Sequence, residues 1–284
     1  SFSALYKIKK KFNIKKIGHA GTLDPNAEGI LPIAINKTTK LIPHITANLK
    51  KYAFKIKWGE QTSTDDSEGE VLNKSNKISK KNEIDKILNL FLGFINQVPP
   101  NASAIKVNGK RAYSMFRDKK IFSLEAKKVF LKSISHLSSH EDISSFLIEC
   151  GKGFYVRSLA RDLAHKLRTF GHVIEIKRIK VGNFNEKTSI LLDDLLKIGQ
   201  SEFEFNFIYP STSMLDDILA YEVEKESDLY DLSLGKKIFI NKKKLIKRPL
   251  SSDNKALVFL SNKGNIVSFG ELIGDLFQPR KVLT

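Results

Sequence analysis

The spacing of apolar residues changes several times along this chain, and each spacing predicts an element. Phe2, Leu5, Ile8 and Phe12 recur at near-helical intervals behind Ser1, which predicts a short basic amphipathic helix over residues 2–12. A loop punctuated by glycine and proline, Gly18 to Gly29, then runs into the apolar segment Ile30–Ile35, which reads as a buried strand. Tyr52, Phe54, Ile56 and Trp58 alternate with Ala53, Lys55 and Lys57, the period of two of a half-buried strand, and Gln61–Glu70 reads as a polar loop. From Ile84 the positions Ile87, Leu88, Phe91, Phe94 and Ile95 fall on one helical face, so a helix is predicted up to its stop at Pro99-Pro100.

Further along, Asn108-Gly109 between Ala104–Val107 and Lys110 is a hairpin-turn signal. Ser144–Cys150 reads as a strand. Gly151–Gly153 turns it into a helix whose inner face is Val156, Leu159, Ala160, Leu163 and Leu167, with Gly171 as its cap. A strand over Val173–Val181 and a helix near Leu191–Ile198 follow. From about Leu229 the apolar runs are short and broken by Gly235, Gly264, Gly270 and Gly274, which suits a small β-barrel. Strands and helices in this order make an α+β chain.

Composition narrows what such a fold acts on. The 284 residues carry a net charge of +17, a field that gathers polyanions. The charge is unevenly spread: residues 189–228 hold ten acidic and two basic residues, whereas 229–284 hold eleven basic and four acidic. Residues 1–188 therefore carry +18, the remainder after −8 and +7. A basic body and a basic tail separated by an acidic stretch point to two contact surfaces on one large polyanion; lysines that only solvate a surface are the plainer reading. No run of about 18 apolar residues marks a membrane span. The single cysteine, Cys150, can form neither an internal disulfide nor a cysteine-based metal site, and with no apolar leader at the start it points to a reducing cytoplasm.

The segment most able to do chemistry is Gly18-His19-Ala20-Gly21-Thr22-Leu23-Asp24-Pro25. Its glycines let backbone approach a ligand, and Pro25 fixes the chain just after a carboxylate. Local chemistry alone equally allows an ordinary turn in which Asp24 bonds its own backbone. This motif, followed by Gly29 and Leu31-Pro32, resembles the catalytic loop of the TruB-type tRNA pseudouridine-55 synthases. Four further matches follow in order. Lys51-Tyr52 is similar to the family's base-stacking tyrosine segment, and Gly59 to Gly69, with Thr62, Thr64 and Asp66, to its Thr/Asp-rich loop. Pro100 with Ser103-Ala104, Lys106, Gly109 and Tyr113 resembles the insert that grips tRNA, and Lys152-Gly153 with Tyr155-Val156-Arg157 resembles its Tyr-x-Arg motif. That insert, Pro100–Val129, holds eight basic and two acidic residues. The C-terminal run Pro279-Arg280-Lys281-Val282-Leu283 is similar to the PUA-like domain of bacterial members. Ala20 stands where many relatives carry threonine, and the family's Lys-Pro element ahead of the loop would lie upstream of Ser1.

The resemblance implies a pseudouridine synthase fold: a mixed, largely antiparallel central sheet flanked by helices over residues 1–228, and a PUA-like β-barrel over 229–284. It implies uridine 55 of the tRNA T-loop as substrate and Asp24 as nucleophile, a role an ionised carboxylate suits because it can both add and leave. Arg157 would hold that carboxylate charged and oriented, and Tyr52 would stack on the flipped base and move its C5 proton. His19 is implied to help flip the base, Asp66 to bond groups near the substrate, and Tyr155 to line the pocket, although a half-buried tyrosine at a helix start explains Tyr155 equally well. Phe54 and Trp58 are left to the core, and Arg161 and Arg168 to solvent. No cofactor, metal or protein partner is implied; the expected form is a monomer on the T-arm. The rival reading is a non-catalytic protein that binds and folds tRNA, against which Asp24, Tyr52 and Arg157 stand together. A nuclease typically relies on clustered carboxylates for metal or on a histidine pair, and the six histidines form no such pair by spacing; a small-molecule enzyme would show a nucleotide fingerprint, and none is present.

Overall fold

The computed structural model describes every residue except 47, 200–207, 215–218, 246–254 and 284. The chain divides into two compact units, one formed by Leu23–Ile30 and Ala47–Val181, the other by Ser1–Thr22, Leu31–Thr46 and Gly182–Thr284.

The first unit is built on a sheet in which Gly171–Val181, Lys50–Trp58, Ile143–Cys150, Lys127–His140 and Gly93–Gln97 lie side by side, each antiparallel to the next. Ala27–Gly29 adds a parallel strand along Gly171–Val181, so the sheet is mixed and largely antiparallel. The period of two in the sequence is met: Phe54, Ile56 and Trp58 are buried, as are Phe146, Ile148 and Cys150 on the neighbouring strand. Helix Val156–Lys166 covers that face with Val156, Leu159, Ala160, Leu163 and Ala164, forming one apolar core. Gly171 does not cap this helix. Arg168 takes the left-handed conformation there, at φ 56°, and the Thr169 amide bonds back to the Ala164 carbonyl. Gly171 instead opens the strand, where a Cβ would sit 3.1 Å from Trp58 and 3.3 Å from Ala164.

The helix predicted from Ile84 to the prolines is shorter than its apolar stripe. It spans Lys81–Leu88, passes through a 3₁₀ turn at Asn89–Phe91 and ends where Gly93 adopts φ +83°. Phe94 and Ile95 belong to a strand, with Phe94 70% exposed against Phe130 at 5.0 Å. Helical spacing and strand alternation overlapped there, and pairing with Lys127–Leu131 decided between them. The polar loop at 61–70 is the tip of a hairpin formed by Glu60–Thr62 and Val71–Lys74. Asn108 and Gly109 make the turn expected of them, both at positive φ.

In the second unit, helix Phe2–Lys11 buries Leu5 and Ile8, and Phe12, Ile14 and Leu195 join Ile8 in a small core. The strand expected at Ile30–Ile35 is confined to Ile33–Ile35, paired with Ile17–His19; Pro32 just before it has no N–H to extend the ladder. The helix near Leu191–Ile198 is one turn, Leu192–Leu195. The glycine-broken C-terminal runs form a five-stranded sheet of Leu219–Glu222, Lys255–Asn262, Asn265–Ile273, Leu276–Val282 and Ile238–Phe239. Leu219–Glu222 and the start of helix Glu226–Ser233 precede Leu229, yet Leu219, Val223 and Leu232 share the core of this sheet. Among the described residues no helix is long and apolar enough to cross a membrane.

A chain of polar bonds pins helix Lys81–Leu88 to the sheet. Asp85 Oδ1 lies 2.8 Å from His136 Nδ1, His136 Nε2 lies 2.8 Å from Ser139 Oγ, and Ser139 meets Ser144, which accepts from the Trp58 indole at 2.8 Å. The imidazole is buried and stacked on Phe146. His136→Ala removes the middle of this chain and should lower unfolding free energy by about 2 kcal/mol. Urea denaturation would show it as a lower midpoint at unchanged slope; an unchanged midpoint would mean that the chain holds nothing.

Candidate active site

Asp24 is presented by a loop that could not be built from other residues at one position. The Ala27 amide closes a turn onto the Asp24 carbonyl, and Ala27–Gly29 then lies parallel to Ile176–Arg178. Ile30 donates its amide to the Arg178 carbonyl at 2.7 Å. At Gly29, with φ +104°, a Cβ would fall 2.2 Å from that same carbonyl, so only glycine lets the loop dock. A second loop leans on the same strand, where the Val173 amide donates to the Asp65 carbonyl at 3.0 Å.

Arg157, in the first turn of helix Val156–Lys166, ties the two loops together. Its side chain is 3% exposed. Nε donates to Asp24 Oδ2 at 2.8 Å and Nη2 to Asp24 Oδ1 at 3.0 Å, a two-pronged pair that fixes the plane of the carboxylate. Nη1 lies 3.1 Å from Asp66 Oδ2 and donates to the Thr64 carbonyl at 3.0 Å, while Nη2 also donates to the Ala102 carbonyl at 3.0 Å. Four of these contacts are hydrogen bonds and the fifth, to Asp66, is an ion pair. Asp66 is held in turn by the Thr64 hydroxyl and by the Glu68 amide at 3.0 Å. Asp24 remains 35% exposed, so one carboxylate faces solvent while its partner is buried.

Tyr52 and Tyr155 are half-buried and close enough for the Asp24 charge to act on both phenols. Burial pushes the Tyr52 phenol above its ordinary range, with the Arg178 guanidinium opposing. Tyr155 is raised by burial and then by Asp24, with Arg157 opposing. Both rings therefore present neutral hydroxyls near neutral pH. Asp24, Asp66, Arg157, Tyr52 and Tyr155 thus belong to one site in the first unit; His19 lies half-buried on strand Ile17–His19 of the other unit.

Several contributors carry no signal in the sequence. Arg178, 1% exposed, stands in register with Tyr52 and donates Nε to the Ile30 carbonyl at 2.7 Å, so it supports the tyrosine's strand and the end of the Asp24 loop together. In the sequence it is one more cation in an alternating strand. Arg161, expected in solvent, bonds Asp65 at 2.7 Å and the Val98 carbonyl at 2.6 Å. It lies one turn after Arg157 and so follows it to the same side of the helix. Asp65 and Asp66 thereby serve successive arginines. Arg168 is exposed as expected.

At the start of the tyrosine's strand, Lys50 stands opposite Cys150. Burial pulls the ammonium down to about 8, with the Cys150 thiol opposing and Arg178 and Lys152 adding to the fall. Burial pushes the Cys150 thiol up to about 12, leaving it an inert core residue.

Comparison with known proteins follows the same outline. A family model described as "TruB family pseudouridylate synthase (N terminal domain)" matches residues 9–156, and "tRNA pseudouridylate synthase B C-terminal domain" matches residues 157–220. The chain is 37% identical over 285 residues to tRNA pseudouridine synthase B of Ehrlichia ruminantium (strain Gardel), covering 99% of this chain and 94% of that one. Against the protein of that name from Caulobacter vibrioides it is 40% identical over 241 residues, covering 84% and 77%. Among solved structures, a chain of a Cbf5-Nop10-Gar1 complex shares the fold with a TM-score of 0.74 at 21% identity, covering all of this chain and 81% of that one.

Lys50 provides a test of this environment. Its folded value of about 8 lies below the 10.5 of a free lysine, so between those values the unfolded chain binds more protons and stability rises with pH. The difference in unfolding free energy between Lys50→Met and the parent should therefore fall from pH 8 to 10, by at most about 1.4 kcal/mol per pH unit. Denaturation at several pH values measures it; a difference constant over that window would place Lys50 in solvent.

Proposed function

We propose, from the premise that this chain belongs to the TruB family of pseudouridylate synthases, that it converts uridine 55 in the T-loop of tRNA to pseudouridine with Asp24 as nucleophile. The observation that carries the reading is the two-pronged bond from buried Arg157 to a carboxylate that stays open to solvent. Isomerisation breaks the bond from N1 of the base to C1′ of the ribose, turns the base, joins C5 to C1′ and moves a proton from C5 to N1. An ionised carboxylate can bond to the sugar or base and leave again, so the sequence of steps needs no cofactor or metal. Arg157 pairs with Asp24 and keeps its oxygens aimed, and Asp66 keeps Arg157 in place.

The remaining roles are those of the family motifs these residues match. A loop uridine must leave its stack at a cost of a few kcal/mol, and an aromatic face near the carboxylate offsets part of it. Tyr52 is that face in this reading, and its hydroxyl relays the C5 proton late, accepting it as its own phenol proton passes on toward N1, with Arg178 on the paired strand. Tyr155 lines the same pocket, and His19 assists flipping, a role taken from the family motif it matches. The insert at 100–129 and a PUA-like C-terminal domain, 229–284 with Leu219–Glu222 packed into its core, supply cations for phosphate contacts, so affinity depends on salt. Specificity comes from RNA shape and the flipped nucleotide. The working form is a cytoplasmic monomer that needs no protein partner.

Tritium release from tRNA carrying C5-tritiated uridine tests the reading. The parent should release tritium, and Asp24→Ala should release none while still binding tRNA within about threefold of the parent. Binding without release by the parent would favour a tRNA-folding protein that does no chemistry; release by Asp24→Ala would remove Asp24 as nucleophile.

A further inference from the structure

The strand that leads into the insert and the turn that leads into helix Val156–Lys166 are joined by one buried side chain. Gln97 ends strand Gly93–Gln97 and is 1% exposed. Its Nε2 donates to the Tyr155 carbonyl at 3.0 Å, and its Oε1 accepts from the Tyr155 amide at 2.8 Å. Tyr155 is extended, at φ −111° and ψ 116°, and its carboxamide partner supplies both bonds that a neighbouring strand would give. The next residues continue the attachment. The Val98 carbonyl accepts from Ser158 Oγ at 2.7 Å, and the Ala102 carbonyl accepts from Arg157 Nη2 at 3.0 Å.

We propose that Gln97 is a positioning residue for pseudouridine formation: by clamping the Tyr155 backbone it fixes the pocket tyrosine and the helix turn that aims Arg157 at Asp24. The inference rests on the site reading given above. Neither the motif spacing nor the apolar pattern marks Gln97, which lies outside the substrate pocket and acts only through the backbone it holds. A misplacement of about 1 Å in such a constellation costs on the order of 100-fold in rate.

Two near-isosteric variants separate this role from simple support. Gln97→Met keeps the volume and loses both bonds; its single-turnover rate constant for tritium release should fall about 30- to 100-fold, with tRNA affinity within about threefold of the parent. Gln97→Glu, when protonated, offers one donor and one acceptor, as the amide does. When ionised it offers two acceptors, one of them facing the Tyr155 carbonyl. Burial raises such a carboxyl's pKa. The Gln97→Glu rate, divided by the parent's at each pH, should stand near one at low pH and fall toward the Gln97→Met level as pH rises. A purely supportive glutamine would change melting temperature and the fraction of active protein without adding this ionisation. A parental rate constant in Gln97→Met, or a Gln97→Glu ratio flat across pH, overturns the proposal; if Gln97→Met does not fold, the Gln97→Glu profile decides alone. Failure of the site reading itself would show differently, as release by Asp24→Ala in the same assay.

Discussion

Everything at the site depends on one buried guanidinium that pairs with two carboxylates at once. Arg157 is buried among two carboxylates and two backbone carbonyls, and these partners come from three parts of the chain: the Asp24 loop, the Thr64–Asp66 loop and the base of the insert. A buried arginine without such partners would be strongly destabilising, so the three segments must assemble together or not at all. The arrangement also explains why two aspartates with one cation can coexist. Asp66 spends its acceptors on Thr64, Glu68 and Arg157, which leaves Asp24 as the carboxylate with an open side.

The sheet supplies the rigidity this needs. Strand Gly171–Val181 receives the Asp24 loop at Ile176–Arg178 and the second loop at Val173, while its other edge pairs with the strand that bears Tyr52. Helix Val156–Lys166 lies on the apolar face of that sheet, so its core residues set the height at which Arg157 meets both loops. Gly29 and Gly171 serve the same end by different means: one allows a loop to touch the strand, the other allows Trp58 and Ala164 to close over it.

Much of this was legible in the sequence, and the limits have physical causes. The alternating strand at Lys50–Trp58 and the helix after Gly153 announced themselves because one face of each is apolar. The motif around Asp24 and the Tyr-x-Arg element pointed to residues that the fold does bring together. The helix from Ile84 was overextended because Phe94 and Ile95 fit a helical stripe as well as a strand, and only Gly93 marked the break. Arg178, Arg161 and Gln97 were unreadable for a different reason. Their partners lie far off in sequence, at the Ile30 carbonyl, Asp65 and the Tyr155 backbone, and a buried polar residue is defined by its partner rather than by its neighbours in the chain.

The central claim is that Asp66 acts on the chemistry only through Arg157. A double-mutant cycle on the single-turnover rate of tritium release, with Arg157→Met, Asp66→Asn and the pair, tests it directly. Each single variant should be slowed about 100-fold or more, and the pair should be no slower than Arg157→Met alone within about threefold. Costs that multiply in the pair would mean that Asp66 serves the reaction independently of Arg157, and would contradict the account.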